Sequence, residues 1–134
     1  MPLDSEKLQT LIDTAIAARS WAYAPYSQYA VGAALLTTSG RIYEGVNIEN
    51  AVFPLVICAE RVAVFKAVSE GEREFSTMVV ATLNGGMPCG SCRQVMAEFG
   101  LATRVVIVDE TGKIHLDTTV SGLLPNAFTP GDLV

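Results

Sequence analysis

The placement of three cysteines constrains the fold of this chain more than any other feature of its sequence. Cys58 opens a Cys-Ala-Glu segment, and Cys89 and Cys92 belong to a Pro-Cys-Gly-Ser-Cys segment further along the chain. Three thiols are one short of a closed four-cysteine zinc site and one too many for a single disulfide. Three protein ligands with one open position are typical of zinc that activates water. We therefore expect a fold that brings both segments to one Zn²⁺ ion per chain.

The spacing of apolar residues predicts alternating helices and strands within a single domain over residues 1–134. A first helix is capped by Asp4 or Ser5 and ends before Pro25, and two further helices are predicted over 58–69 and 89–99. Strands are predicted over 31–37, 41–46, 77–82 and 104–108, with a last short strand around Ile114. This order indicates an α/β sandwich with a mixed sheet.

Both cysteine segments fall where a predicted loop enters a helix. The N-terminus of a helix carries partial positive charge, so it lowers the pKa of a thiol and favours the thiolate that zinc requires. Cys89 and Cys92 are three residues apart and lie on one face of a helical turn, where they can hold one ion. Cys58 would reach the same ion from the start of the neighbouring helix.

Charged side chains next to the cysteines fit a hydrolytic site. Three thiolates leave a zinc centre at −1, so a nearby cation is expected. Arg61 is the first candidate and Arg93 the second, each donating hydrogen bonds to ligand sulfur, although either could be a surface arginine. Glu60 would move a proton between water and substrate, the alternative being a glutamate that only stabilises the helix N-terminus.

Charge and hydropathy exclude several kinds of partner. The chain has 9 Lys and Arg against 14 Asp and Glu, a net charge of −5, and no basic run that would bind nucleic acid. The longest apolar run, 51–59, contains Pro54 and is too short to cross a bilayer, and from the first residues we expect no secretory signal. We therefore expect a cytoplasmic protein without membrane or nucleic-acid partners. Its 50% apolar content suggests a subunit interface.

Several segments together resemble the small zinc-dependent cytidine deaminases. They are Cys58-Ala59-Glu60-Arg61, Pro88-Cys89-Gly90-Ser91-Cys92-Arg93-Gln94 and Asn47-Ile48-Glu49-Asn50-Ala51. The resemblance extends from Tyr26-Ser27 to Phe128, and cysteine as first ligand is similar to the branch that acts on free nucleosides. It implies a three-layer α/β/α sandwich with a mixed sheet of about five strands. It also implies a homotetramer and a role in pyrimidine salvage.

The reaction implied by this resemblance is hydrolytic deamination of cytidine and 2′-deoxycytidine to the uridines, with release of ammonia. Hydroxide on the zinc attacks C4, and Glu60 shuttles the proton. Asn47 and Glu49 would bind the ribose 3′-hydroxyl, Tyr29 stands where relatives usually carry Phe, and Phe53 replaces a common Tyr. The implied substrate-binding residues are Tyr29, Asn47, Glu49, Ala51, Phe53, Ala59 and Phe128, the last reaching into a neighbouring subunit.

Two other functions remain open on sequence alone. The substrate could be another aminopyrimidine nucleoside, such as blasticidin S, because deaminases of that antibiotic share the zinc motifs. The apolar segment 52–57 departs from the family pattern, so the preferred nucleoside stays open. Alternatively, the chain could be a non-catalytic zinc-binding protein, with His115, its single histidine, closing the site as a fourth ligand. Editing of RNA or DNA fits poorly with the acidic charge.

Overall fold

The computed structural model describes residues 3–133 and contains a five-stranded sheet with helices on both faces. Its helices and strands, in chain order, are α1 (Ser5–Ala18), β1 (Gly32–Thr37), β2 (Ile42–Val46), α2 (Ala59–Ser69), β3 (Phe75–Ala81), α3 (Gly90–Phe99), β4 (Arg104–Val108), β5 (Ile114–Thr119) and α4 (Val120–Leu123). Short 3₁₀ turns occupy Arg19–Trp21, Phe53–Leu55 and Pro130–Leu133. Within the described range, no helix has the length and apolar character needed to cross a membrane.

The sheet is mixed, as the sequence predicted. Its strand order is β2-β1-β3-β4-β5. Strands β3 and β4 are parallel and are joined through α3, whereas all other neighbouring pairs are antiparallel. A parallel pair needs a crossover connection, and α3 supplies it. The α/β sandwich with a mixed sheet is therefore confirmed.

Two hydrophobic clusters fill the space between the sheet and its helices. Helix α1 covers one face, and its cluster includes Leu11, Ile12, Ala15, Ala34, Leu36, Val79, Val106 and Val108. Helices α2 and α3 cover the other face, and their cluster includes Ala33, Leu35, Ala63, Val64, Met78, Val80, Met96, Val105 and Ile107. Strands buried on both faces read as continuous apolar runs, which is why β1, β3 and β4 are so rich in Val, Leu and Ala. The predicted three-layer arrangement is thus confirmed.

Most predicted elements agree with the structure, with differences at their ends. Strand β3 begins at Phe75 and ends at Ala81, so it is displaced toward the N-terminus from the predicted 77–82. Strand β5 is six residues long and is followed by α4, which the sequence analysis did not predict. Thr119 caps α4 by accepting a hydrogen bond from the Gly122 N–H. A threonine at the N-cap position is a sequence feature typical of a helix start.

The register of the sheet brings three loops to one edge. Gly32, at the start of β1, pairs with Val46 at the end of β2 and with Ala81 at the end of β3. The segments that precede β1, follow β2 and follow β3 therefore meet beside one another. The first turn of α2 also lies here, because Gly45 of β2 packs against Ala59 and Ala63. This edge of the sheet carries the candidate site.

Candidate active site

The three cysteines converge at this edge, as the sequence analysis predicted. The Cys58 and Cys89 sulfurs are 3.7 Å apart, the Cys89 and Cys92 sulfurs 3.3 Å, and all three lie within 4.8 Å of one another. Sulfurs bound at about 2.3 Å to a tetrahedral zinc would be separated by roughly 3.8 Å. The three thiols are free, and the described residues contain no other such group of potential ligands. The donor set therefore fits one Zn²⁺ ion.

Helix N-termini position these thiols. Cys58 is the N-cap residue of α2 and Cys89 that of α3, whose sulfur accepts a hydrogen bond from the Cys92 N–H at 3.4 Å. The neighbouring Cys92 thiol, followed by the Arg61 guanidinium, lowers the pKa of Cys58 to about 5. The interaction with Cys58 and burial raise the pKa of the Cys92 thiol. The Cys58 thiol therefore readily becomes the thiolate that a metal ion requires.

The two arginines that were predicted to support the thiolates occupy different places. Arg61 donates from Nη2 to the Cys58 sulfur at 3.4 Å, while its buried Nε has no hydrogen-bond partner among the described residues. Arg93 instead donates to the carbonyl oxygens of Pro88 and Leu123, at 2.9 and 2.8 Å. The prediction that Arg93 donates a hydrogen bond to sulfur is therefore wrong. Arg93 instead holds the backbone before Cys89 in place.

Glu60 is buried beside the cysteines. Only 4% of its surface is exposed, and burial raises the pKa of its carboxyl group above the ordinary value. With Cys58 and Cys89 it lines a cavity of about 260 Å³, hereafter the cysteine cavity. A carboxyl group with a raised pKa holds a proton more readily, which suits it both to accept a proton and to donate it.

Asn47 and Glu49 line the same cavity and are held in place by hydrogen bonds. The Asn47 amide accepts from the Val31 N–H at 2.9 Å and donates to the Tyr29 carbonyl at 2.8 Å. Glu49 accepts from the N–H groups of Tyr26 and Ser27, and also from the Ser27 hydroxyl. The Ser27 hydroxyl is the main cause of the lowered pKa of Glu49, so the carboxylate is ionised. Both side chains retain capacity for further hydrogen bonds.

Tyr29 also lines the cysteine cavity, together with residues that the sequence analysis did not identify. Its hydroxyl donates to Asn84 Oδ1 at 2.6 Å. Thr82, Gly86 and Met87 form part of the cavity wall in the loop between β3 and α3. The Gly85-Gly86 pair marks this loop in the sequence as a break after a strand. No local signal connects the loop with Tyr29, because only the register of β1 and β3 brings them together.

The other implied substrate-binding residues lie outside this cavity wall. Ala59 is fully buried as the first residue of α2, next to Cys58. Ala51 and Phe53 lie on an exposed segment, where Phe53 makes an edge-to-face contact with Tyr26 at 5.8 Å between ring centroids. Phe128 is 56% exposed. His115 bonds to Asp109 through Nε2 at 2.8 Å and does not belong to the cysteine group, which argues against a closed site with a histidine ligand.

The geometry defines a class of protein, an α/β/α sandwich with three cysteine thiols grouped to hold a metal ion at one sheet edge. Residues 5–109 match the family model described as the cytidine and deoxycytidylate deaminase zinc-binding region. The chain is 51% identical over 128 residues to a cytidine deaminase of Halalkalibacterium halodurans, covering 93% of this chain and 96% of that protein. The chain therefore belongs to the zinc-dependent cytidine deaminase family, as its motifs predicted.

Structural similarity leads to the same family. A crystal structure of cytidine deaminase from Burkholderia pseudomallei superposes with a TM-score of 0.86 at 45% identity, covering 90% of this chain and 98% of that one.

A blasticidin-S deaminase of Bacillus cereus is a more distant relative in sequence, at 30% identity over 113 residues, covering 77% of this chain and 79% of that protein. The matched zinc-binding region and the cysteine group together support one zinc ion per chain, as predicted.

Proposed function

We propose that this chain is a single-domain enzyme that hydrolyses cytidine and 2′-deoxycytidine to uridine and 2′-deoxyuridine. One observation carries the proposal. The same cavity is lined by two cysteines of the metal group, a buried glutamate and a hydrogen-bonding pair suited to a sugar hydroxyl. The names of the relatives at high identity and coverage support the same reaction.

In the proposed reaction, water adds to C4 of the base and ammonia leaves, so one C–O bond forms as one C–N bond breaks. Zinc held by Cys58, Cys89 and Cys92 would supply Lewis acidity, which lowers the pKa of water toward about 7. Glu60 accepts the proton that water loses and delivers it to ring N3. Glu60 then takes the remaining proton from the new C4 hydroxyl and delivers it to the amine, which leaves as ammonia while the C4 carbonyl forms. Arg61 offsets the negative charge of the thiolates through its hydrogen bond to sulfur.

The remaining residues bind and orient the nucleoside. Asn47 and Glu49 are proposed to bind the ribose 3′-hydroxyl, since both are already fixed by the backbone around Tyr29 and Ser27. Prior ordering of this kind lowers the entropy that binding must lose. The Tyr29 ring is proposed to pack against the pyrimidine, and the Ala59 N–H to face the exocyclic group.

The experiment that tests the proposal follows loss of the ultraviolet absorbance of cytidine and measures zinc in the same sample. We expect turnover with about one zinc per chain. Glu60→Gln should retain zinc and thermal stability while kcat falls by about 10²- to 10⁴-fold. Glu98→Gln is the matched control, because Glu98 is an exposed glutamate on α3. Near-normal turnover by Glu60→Gln would overturn the proton-transfer role. A wild-type chain that binds zinc but does not turn over cytidine would instead favour a non-catalytic zinc protein.

A second candidate substrate is another aminopyrimidine nucleoside, favoured by the similarity to a blasticidin-S deaminase. The Asn47 and Glu49 pair supports an ordinary ribose, because both groups can bind a hydroxyl. Comparing kcat/KM for cytidine, 2′-deoxycytidine and blasticidin S on one preparation decides between them. A higher value for blasticidin S would replace cytidine as the proposed substrate.

We further propose a homotetramer that acts in the cytoplasm, in pyrimidine salvage. Support for assembly comes from large apolar side chains left exposed on the single chain, namely Trp21, Tyr26, Phe53, Leu55 and Phe128. Exposed apolar side chains that gather into one large patch mark a surface that binds a partner. Sedimentation analysis of active enzyme tests this, and a fully active monomer would contradict it.

A further inference from the structure

The segment 82–88, which joins β3 to α3, connects the cavity wall with the metal group and is called here the 82–88 loop. Thr82, Gly86 and Met87 contribute to the wall of the cysteine cavity, and Cys89 follows directly. A change in the position of this loop would therefore alter the shape of the cavity and the approach to a metal ligand.

Hydrogen bonds close the turn from Thr82 to Gly86, and Arg93 holds the Pro88 carbonyl at the other end of the loop. The buried Thr82 hydroxyl accepts from the N–H groups of Gly85 and Gly86, each at 2.8 Å. Gly85 has a φ of +77° and lies against the His115 ring, so a side chain there would be both strained and blocked. The outer residues of the loop pack little, since Leu83 is 54% and Met87 49% exposed. The exposed side of the loop therefore depends on a contact from outside the loop.

The Tyr29 hydroxyl supplies that contact by donating to Asn84 Oδ1 at 2.6 Å. The loop backbone also passes close to this hydroxyl, because a Cβ atom added at Gly86 would meet it far inside the 3.0 Å that real Cβ atoms keep. The backbone of Tyr29 is itself fixed, through its carbonyl by Asn47 and through its N–H by the Ser27 hydroxyl. Tyr29 is therefore an anchored group onto which the loop can close.

We propose that the hydrogen bond between Tyr29 and Asn84 is a clamp that holds the 82–88 loop and the Tyr29 ring as one cavity wall. Asn84 is then a positioning residue, because it acts through Tyr29 and the loop. Phenylalanine at position 29 would provide the same ring but no donor, so the clamp depends on tyrosine at this position. The expected kinetic consequences rest on the proposed deamination of cytidine.

Loss of the clamp should weaken substrate binding more than it slows the chemistry. The wall contacts the substrate equally in its ground state and its transition state, so KM rises while kcat stays nearly constant. One net hydrogen bond changes an equilibrium by about three- to tenfold, which is the increase we expect in KM. Because the two residues act through one bond, removing both should have the effect of removing one.

The test measures kcat and KM for cytidine in wild type, Tyr29→Phe, Asn84→Ala and the double variant. Asn84→Asp retains the Oδ1 acceptor and should restore KM to near the wild-type value. Tyr23→Phe is the matched control, since Tyr23 is 55% exposed and lies outside the cavity wall. Amide hydrogen exchange of residues 82–88 provides a second readout that does not require turnover.

The clamp predicts faster exchange within 82–88 in Tyr29→Phe and Asn84→Ala, with no further increase in the double variant and no change in Tyr23→Phe. Wild-type KM and exchange in Tyr29→Phe, or additive effects in the double variant, would overturn it. If wild type does not act on cytidine, the proposed function fails while the exchange rates still decide whether the clamp exists.

Discussion

A single methyl group added at Gly45 should lower both the free energy of unfolding and the affinity of the cysteine group for zinc. It lies in β2 with its Cα against the first turn of α2. A Cβ atom added there would be 2.6 Å from the Ala63 nitrogen and closer still to the Ala59 carbonyl oxygen. Ordinary contacts begin at 3.4 Å, and both opposing atoms belong to the backbone. Gly45→Ala can be accommodated only if α2 moves by about an ångström.

Such a movement has two measurable costs. Overpacking of a core lowers the free energy of unfolding by about 1–3 kcal/mol, and a backbone conflict belongs at the upper end of that range. Cys58 is the N-cap of α2, so its sulfur moves with the helix, whereas metal–ligand distances tolerate only about 0.2 Å. Loss of a contact that supports a metal ligand typically lowers metal affinity by about 10- to 100-fold. We expect zinc affinity to fall by at least this much.

Gly32→Ala is the matched control because it creates the same conflict on the opposite face of the sheet. The added Cβ would meet the backbone of Ala15 and Arg19, which belong to α1 and the turn after it. Urea unfolding in the presence of a chelator should show similar losses of stability for both variants. Competition with a chromophoric chelator should show a loss of zinc affinity for Gly45→Ala alone. Equal zinc affinities in the two variants would refute the coupling of α2 position to the metal site.

Two further predictions concern metal and pH. Removing zinc with a chelator should lower the thermal unfolding midpoint, and adding zinc should restore the midpoint. The reason is that an ion that binds only the folded chain stabilises the fold. An unchanged midpoint would contradict zinc binding at the cysteines. The Arg104 guanidinium, at 2.6 Å, lowers the pKa of Asp117 in the folded chain. The pair therefore stabilises the fold above the unfolded pKa of about 3.9, and this contribution disappears as pH falls through the lower folded value. Asp117→Asn should lose less than about 1 kcal/mol at pH 7, because the pair is partly exposed, and nothing at pH values below both pKa values. A larger loss at acid pH than at pH 7 in urea unfolding would show that the ion pair is not the cause.

The metal group was predictable because its ligands depend on short-range spacing. Cys89 and Cys92 lie on one helical turn, and a cysteine before a helix is recognisable as a cap position from the sequence that follows. The long apolar strands were equally clear, because burial on both faces gives continuous apolar runs. Helix α4 was missed because four residues are too few to show a period.

Contacts set by the register of the sheet could not be predicted. Tyr29 and Asn84 are 55 residues apart, and only the pairing of β1 with β3 brings them together. Arg93 was expected to donate to sulfur as the second candidate for the cation that balances the negative zinc centre. On a helix, however, adjacent side chains point about 100° apart, and Arg93 is directed toward the Leu123 carbonyl of α4. The position of α4 was not available from the sequence, so neither was this partner.

The same helical rotation explains why three consecutive features of the site belong to one rigid unit. Cys58 caps α2, Glu60 points into the cysteine cavity, and Arg61 returns to the Cys58 sulfur. Their directions relative to one another are fixed by the helix, so they need only one external constraint, the distance of α2 from the sheet. Gly45 sets that distance, since no other residue type lets the strand approach the helix backbone so closely. A glycine with no polar side chain thus fixes the positions of Cys58, Glu60 and Arg61 together.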